Sequence, residues 1–509
     1  MTSTTAPATA TPELLEVVNP ATGEHVATVA CTAGDEVSAI ADRAREAQAS
    51  WGRTPWRERA RVLRRFHDLL FERADEVLDT IQSETGKSRR DALSELISVA
   101  GTARYFLAHG RRQLATRRAR GALPWVTSAR EVLHPRGLVG LITPWNFPFL
   151  LGIGDALPAL AAGNAVLLKP SELTPRSALL ARDLLLEAGL DPELLHVLVG
   201  TGAELGAPLI DAVDYIGFTG SLATGRLVAQ RAAARPIPCS LELGGKNPML
   251  VLPGANVDQA VAGLLLGSFA NAGQTCIGIE RVYVHAELWD DFVTAAATAT
   301  ASLRQGWSTG WDVDLGSLAS NDHAERVRDH LRDAIERGAT VVAGGLDVPE
   351  GLPETFVAPT LLTDTSDGML LQREETFGPV VRLERVASEA EAIQRANDSE
   401  YGLNASVWAG SRRAGRHVAR QLVAGSVGVN STLLIYGSFD VPMGGTRASG
   451  IGARHGAQGM RRFCRSQSIV SSFPQRGGYE GLLGLADSPR GALLLLRAMR
   501  TLRRIPGAR

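Results

Sequence analysis

From Gly137 onward the sequence alternates between short apolar runs and segments of helical spacing, and this alternation restricts the chain to few architectures. The runs Leu138-Val139-Gly140-Leu141-Ile142, Ala165-Val166-Leu167-Leu168, Leu195-His196-Val197-Leu198-Val199 and Tyr215-Ile216-Gly217-Phe218 are separated by helical stretches such as 176–188. Strands that alternate with helices predict a doubly wound parallel sheet, in which ligands bind beyond the carboxyl ends of the strands. A second series repeats the pattern: Arg281-Val282-Tyr283-Val284, Ala339-Thr340-Val341-Val342, Val380-Val381-Arg382-Leu383 and Ala405-Ser406-Val407-Trp408. The fold class is therefore α/β, with a second such domain over about 245–443. Upstream, residues 35–108 place Val62, Phe66, Leu69 and Leu70 at helical spacing, which predicts amphipathic helices.

Length and composition narrow the function. A chain of 509 residues exceeds one ordinary core, so two or three domains are expected. The 53 basic and 54 acidic residues leave a formal charge of −1, which gives no electrostatic case for nucleic acid. Cys31, Cys239, Cys276 and Cys464 are scattered without C-x-x-C spacing, which argues against a disulfide framework or a metal site and fits a reducing cytoplasm. Residues 1–12 lack a basic region followed by an apolar core and read as a disordered tail, not a signal peptide. The apolar stretch 149–168 contains Asp155, Pro158 and Asn164, so it reads as buried helix, turn and strand instead of a membrane span. In the tail 481–509, Leu493 to Leu496 precede Arg497, Arg500, Arg503 and Arg504. A short basic helix packed on the body or on a neighbouring subunit is the preferred reading, because such patterns are not specific. An interfacial anchor on an anionic membrane is the other.

Three segments carry chemistry. Phe269-Ala270-Asn271-Ala272-Gly273-Gln274-Thr275-Cys276 places a cysteine after a small polar turn, which suits a presented thiol. A lone cysteine is more often inert core. Leu241-Glu242-Leu243-Gly244-Gly245 adds a carboxylate whose apolar neighbours argue for burial and a raised pKa. Pro144-Trp145-Asn146-Phe147-Pro148 adds an amide. Nucleophile, base and oxyanion donor are the parts needed to attack a carbonyl covalently. Gly220 and Gly225 bracket a strand-to-helix turn where Ser221 can meet a pyrophosphate.

These segments, with LKPSE (168–172), FTGSLATG (218–225), LELGGKNP (241–248), GQTC (273–276) and EETFGP (374–379), resemble the NAD(P)-dependent aldehyde dehydrogenase superfamily over nearly the whole chain. The stretches 397–411 and 442–456 look like its succinate-semialdehyde dehydrogenase-like branch. The resemblance implies an NAD-binding domain over 13–116 and 136–244, a catalytic domain over 245–443, and a small β oligomerisation arm over 117–135 and 459–474. A basic extension, 475–509, follows. It also implies an aldehyde substrate and a homodimer or homotetramer. Cys276 becomes the nucleophile, Glu242 the base that activates the hydrolytic water, and Asn146 the oxyanion donor. The cofactor is NAD, with NADP admitted, held by Thr143, Trp145, Lys169, Ser171, Glu172, Gly202, Phe218, Gly220, Ser221, Gly225, Glu375 and Phe377. Glu172 at the adenosine ribose repels a 2′-phosphate, hence the preference for NAD.

The match departs at the substrate. Well-studied succinate-semialdehyde dehydrogenases clamp the carboxylate with arginines at the positions of Ala270 and Gly154 here. Arg281 could substitute, although a structural role fits it better. The candidate channel residues Phe149, Leu150, Ile277, Tyr436, Phe439 and Met443 are mostly apolar, so an uncharged aliphatic or aromatic aldehyde stands beside succinate semialdehyde. A catalytically silent member of the fold is the alternative from another class.

Overall fold

The computed structural model describes residues 13–122, 126–473 and 478–502. The expected tail at 1–12, together with Arg503 and Arg504, lies outside them. Two helix-covered sheets dominate. The first has six strands in the order Gly450–Ile451, Cys239–Glu242, Tyr215–Thr219, Leu138–Ile142, Ala165–Lys169 and Leu195–Val197. The last five are parallel, and their order reverses between Leu138–Ile142 and Tyr215–Thr219. A crevice forms where connections leave such a reversal in opposite directions, and it lies at the carboxyl ends of the strands.

The second sheet has seven strands in the order Thr340–Ala343, Thr360–Thr363, Val380–Val386, Ile279–His285, Asn247–Val251, Asn404–Trp408 and Ser426–Val429. All run parallel except Thr340–Ala343, which pairs antiparallel at the edge. The expected strand there is real, but its direction is not that of a doubly wound core. Strands Leu138–Ile142, Ala165–Lys169 and Asn247–Val251 are buried along almost their whole length, as sheets covered on both faces require.

The helical region resolves into four helices: Glu36–Trp51, Trp56–Glu72, Ala74–Thr85 and Arg89–Leu114. The longest is capped by Ser88, whose hydroxyl accepts from the Asp91 amide. It packs Ala92, Leu96, Val99, Ala103 and Phe106 into the core that also takes the first sheet. The stretch 149–168 forms two helices, Pro148–Gly154 and Ala156–Ala161, before its strand. No described helix is long and apolar enough to cross a membrane.

Three smaller parts complete the architecture, the second of them on the segments expected as a small β arm. Leu14–Val18 and His25–Ala30 form a separate antiparallel hairpin. Its Asn19-to-Glu24 turn has Gly23 at φ 76°, the left-handed backbone that glycine adopts freely. Arg117–Arg120, Thr127–Pro135 and Cys464–Ser472 form a three-stranded antiparallel sheet. Segment 444–458, which carried no domain assignment, returns to the first sheet, where Gly450–Ile451 pairs with Leu241 and Glu242. The C-terminal helix, Pro489–Leu502, packs mainly on the turn Gly484–Asp487 and leaves Leu493, Leu494, Leu496 and Met499 exposed, so these residues do not pack on this chain's body.

Candidate active site

The two sheets present opposite ends to one cleft. Pro144, Trp145 and Asn146 follow the strand Leu138–Ile142; Gly220 and Ser221 follow Tyr215–Thr219; Glu242 ends Cys239–Glu242. These are carboxyl ends. From the second sheet, Cys276 precedes Ile279–His285 and Glu375 and Phe377 precede Val380–Val386. These are amino ends. All of these residues line a cavity of about 400 Å³, together with His323 and Arg326.

The cysteine turn is held by side chains other than the thiol. Asn271 and Ala272 adopt φ of 55° and 52°, left-handed values that cost non-glycine residues about 1 kcal/mol or more each. Asn271 Nδ2 donates to the Asn146 carbonyl at 2.8 Å, and Gln274 Nε2 donates to the Asn271 carbonyl at 3.0 Å. The Ala319 amide donates to Gln274 Oε1 at 2.9 Å. Beyond the turn, Asn247 Nδ2 donates to the Cys276 carbonyl at 2.9 Å. A Cβ on Gly273 would lie 2.1 Å from the Gly378 carbonyl oxygen, and one on Gly245 would lie 2.6 Å from that of Cys276. Both glycines are required by close approach of backbone.

Asn146 is anchored on both sides. Its Nδ2 donates to the Gln274 carbonyl at 2.9 Å, which fixes the amide's orientation, while its buried Oδ1 has no partner. Its own carbonyl accepts from Lys87 Nζ at 2.7 Å. Lys87 and Glu95 form an ion pair at 2.6 Å and are almost wholly buried. The other Glu95 oxygen accepts from the Phe149 and Leu150 amides at 3.0 and 2.9 Å. The pair therefore splints the loop that carries Asn146. Sequence reasoning passed over both residues, because a charge in a polar helical region reads as surface.

Burial pushes the Cys276 thiol up to about 11; the Arg454 charge draws it back, and Glu375 and Glu242 add to the rise. The Tyr436 hydroxyl is a hydrogen-bond partner of the thiol. Glu242 is buried, its Oε1 has no partner, and its carboxyl is pushed up to about 7 by burial against the pull of Arg454 and Arg462. A carboxylate with that pKa is poised to exchange protons near neutrality. Glu375 is pushed up to about 8 by burial and by Glu280. It accepts from the Gly245 amide at 2.8 Å, and a Cβ on Gly244 would lie 2.3 Å from its Oε2. Glu280 in turn accepts from the amides of Thr376 and Phe377 and pairs with buried Lys246. Trp145, His323 and Phe377 close one wall as a cluster of edge-on rings.

A second cavity, of about 570 Å³, lies beyond the same strand ends and is lined by Lys169, Gly202, Phe218, Leu227 and Val228 among others. Lys169 pairs with Glu172 at 3.2 Å. Ser221 caps the helix Leu222–Ala234, so the positive end of its dipole opens on the cleft beside Gly220. Gly225 lies on that helix where a Cβ would come within 2.4 Å of Leu243. Thr143 and Ser171 are buried at the ends of their strands and line neither cavity.

Of the six channel candidates, Leu150, Tyr436, Phe439 and Met443 line a narrow pocket of about 30 Å³ that shares Leu151 with the cleft. Phe149 is instead fully buried in the main core, and Ile277 packs with Leu403 and Met443 behind the thiol. Neither lines the pocket: the main core takes the Phe149 ring, and the cluster with Leu403 takes the Ile277 side chain. Arg281 is also structural: its guanidinium donates to the carbonyls of Lys246 and Ala396, far from the pocket lining. Arg454, which the sequence reading quoted within a motif but gave no task, lines that pocket.

Comparison with known proteins accords with this geometry. Residues 7–469 match the model of the Aldehyde dehydrogenase family. A Mycolicibacterium smegmatis protein named "Putative succinate-semialdehyde dehydrogenase [NADP(+)]" is 44% identical over 452 residues, which cover 89% of this chain and 87% of that protein. The crystal structure of a succinate-semialdehyde dehydrogenase from Burkholderia pseudomallei superposes with a TM-score of 0.86 at 33% identity, covering 90% of this chain and 95% of the other. That of a Mycobacterium tuberculosis aldehyde dehydrogenase complexed with NAD+ gives 0.87 at 32% identity, covering 91% and 96%. The chain belongs to the aldehyde dehydrogenase family.

Proposed function

We propose that the protein oxidises succinate semialdehyde to succinate with NAD as the preferred cofactor and Cys276 as the nucleophile. The observation that carries the chemistry is the meeting of Cys276, Glu242 and Asn146 around one cavity. Their roles follow from what each can do there. Glu242, titrating near 7, is kept for the later hydrolysis; the Cys276 thiol gives its proton to solvent through the open cleft, and the thiolate sulfur bonds to the aldehyde carbon. The second N–H of Asn146 Nδ2, not engaged by Gln274, can donate to the oxyanion this creates. The two cavities flanking the capped helix fit a dinucleotide: an apolar chamber with Lys169 for the adenosine end, and the cleft with Phe377 and Glu375 for the nicotinamide end. The bound nicotinamide supplies the acceptor for the hydrogen and electron pair that leave the adduct. Cys276 is then left as a thioester. Glu242 next takes a proton from water, the hydroxide adds to the thioester carbon, and the cysteine sulfur leaves as thiolate.

The choice of NAD rests on Glu172. It is half-exposed and paired with Lys169, which lines the adenosine chamber, so a 2′-phosphate bound beside Lys169 would meet a carboxylate. The Glu172→Ser variant is expected to raise the NADP-to-NAD ratio of kcat/KM by about tenfold, one charge repulsion's worth. An unchanged ratio would place the discrimination elsewhere.

The substrate reading draws on the named relatives and on the narrow pocket, whose volume of about 30 Å³ suits a short aliphatic chain better than an aromatic ring. Its test is kcat/KM for succinate semialdehyde against butanal and benzaldehyde, with succinate semialdehyde expected to be highest. A higher value for butanal would reject it. The largely exposed strands Arg117–Arg120, Thr127–Pro135 and Cys464–Ser472 support assembly as a homodimer or homotetramer through edge pairing. The charge balance and the chain's scattered free cysteines support a cytoplasmic setting.

A further inference from the structure

The pocket beside the thiol holds more positive charge than it can pair. Arg454 Nη2 donates to Asp155 Oδ2 at 3.2 Å and to Thr219 Oγ1, and its buried Nε has no partner. Arg462 donates to the other Asp155 oxygen and to Ser240 Oγ at 3.1 Å, and its buried Nε is also without a partner. Two guanidinium groups thus share one carboxylate. His455, adjacent on the chain, is held neutral, its pKa lowered to about 4 by burial and by Arg454. Burial opposes the Arg454 charge, and Asp155, Glu242 and Cys276 support it. The buried Nε donors of Arg454 and Arg462 still lack acceptors, and a further anion in the pocket would supply them.

The backbone brings this charge to the substrate side. Arg454 and Met443 exchange amide–carbonyl hydrogen bonds at 2.6 and 2.9 Å, which fixes Arg454 opposite the channel residue. Gly154 lines the same pocket and has no side chain to fill it. Ser98 and Thr102 bring hydroxyls to the wall, and Tyr436 joins the pocket to Cys276.

We infer that Arg454 is the specificity-determining residue for an anionic substrate, its guanidinium receiving the carboxylate of a short ω-carboxy aldehyde whose carbonyl carbon lies at Cys276. The cation expected at positions 154 and 270 is thereby delivered from the C-terminal return of the chain. This rests on the proposed function for the choice of succinate semialdehyde, but not for the binding of a carboxylate.

The test uses the full-length enzyme and its Arg454→Met and Arg454→Lys variants. Two quantities are read from pH 6 to 9: the ratio of kcat/KM for succinate semialdehyde to that for butanal, and the inhibition of butanal oxidation by succinate. Arg454→Met is expected to lower the ratio by about 100-fold, the loss of one buried charge-paired contact. It should also abolish competition by succinate. Arg454→Lys, which keeps the charge but not the fork, is expected to lose about tenfold and to retain weak competition; it serves alone if the methionine variant does not fold. An equal slowing of both aldehydes with a shared shift of pH profile would show that Arg454 acts only on Glu242 and Cys276, and would overturn the inference. Succinate inhibition undiminished in Arg454→Met would overturn it too. A wild-type ratio below one with succinate inhibition that depends on Arg454 would reject succinate semialdehyde as substrate and keep the carboxylate site.

Discussion

Cys276→Ala is expected to lower aldehyde oxidation by on the order of 10⁴-fold or more while leaving a folded protein that still binds NAD. The turn that carries the cysteine is fixed by Asn271, Gln274 and Asn247, so loss of one sulfur atom removes no hydrogen bond that shapes it. Hydrolysis of an activated ester such as p-nitrophenyl acetate should fall in parallel, because the same sulfur would carry that acyl group. The measurement is initial NADH formation under saturating aldehyde, with thermal unfolding followed by circular dichroism as the control for folding. NADH formation within tenfold of wild type in a folded variant would rule out covalent catalysis at this position.

Glu242→Gln is expected to slow steady turnover by about 10²- to 10⁴-fold while preserving an initial burst of about one NADH per subunit. The amide keeps the size of the side chain and loses the lone pair that takes a proton from water. The carboxyl is pushed up to about 7, so wild-type turnover should rise as pH climbs through 7 and fall about tenfold per unit well below it, since only the ionised form accepts a proton. In the variant this inflection should vanish. Rapid-mixing absorbance at 340 nm separates the burst from the steady rate. A steady rate equal to wild type would remove Glu242 as the base; a lost burst would mean that it also takes the cysteine's proton indispensably.

Much of the architecture was legible because it is local. Every run read as a parallel strand between Leu138 and Phe218 forms one, and each lies within a residue or two of its expected bounds. The segments of Cys276 and Glu242 were legible for the same reason: their glycines betray a backbone held close to something else, and the structure brings both residues to one cavity with Asn146. What escaped was what only tertiary folding assembles. Lys87 and Glu95 lie in a helical region of mixed charge, and nothing in their neighbours announces that both are buried beneath the Asn146 loop. Arg454 is followed by His455, Arg461 and Arg462, and nothing in that run tells which of them faces inward; its backbone pairing with Met443 is what holds it at the pocket. The direction of the edge strand Thr340–Ala343 is also set by its connection, not by its own residues. The hairpin at 14–30 was within reach: Asn19, Pro20 and Gly23 mark a turn between two β-rich runs.

The pairing of Gly450–Ile451 with Leu241 and Glu242 sets an order of events during synthesis. A Cβ on Gly450 would lie 2.1 Å from the Leu241 carbonyl oxygen, so this contact is a close fit that no earlier part of the chain replaces. On the ribosome the edge bearing Glu242 stays open until a segment about two hundred residues further on has emerged, a delay of about 10–40 s at ordinary elongation rates. The thiol is made long before the Glu242 strand edge is covered and before Arg454 arrives. A nascent polypeptide therefore carries the sulfur before the rest of the cavity is closed around it, and the site is completed only once residues 450–454 have emerged.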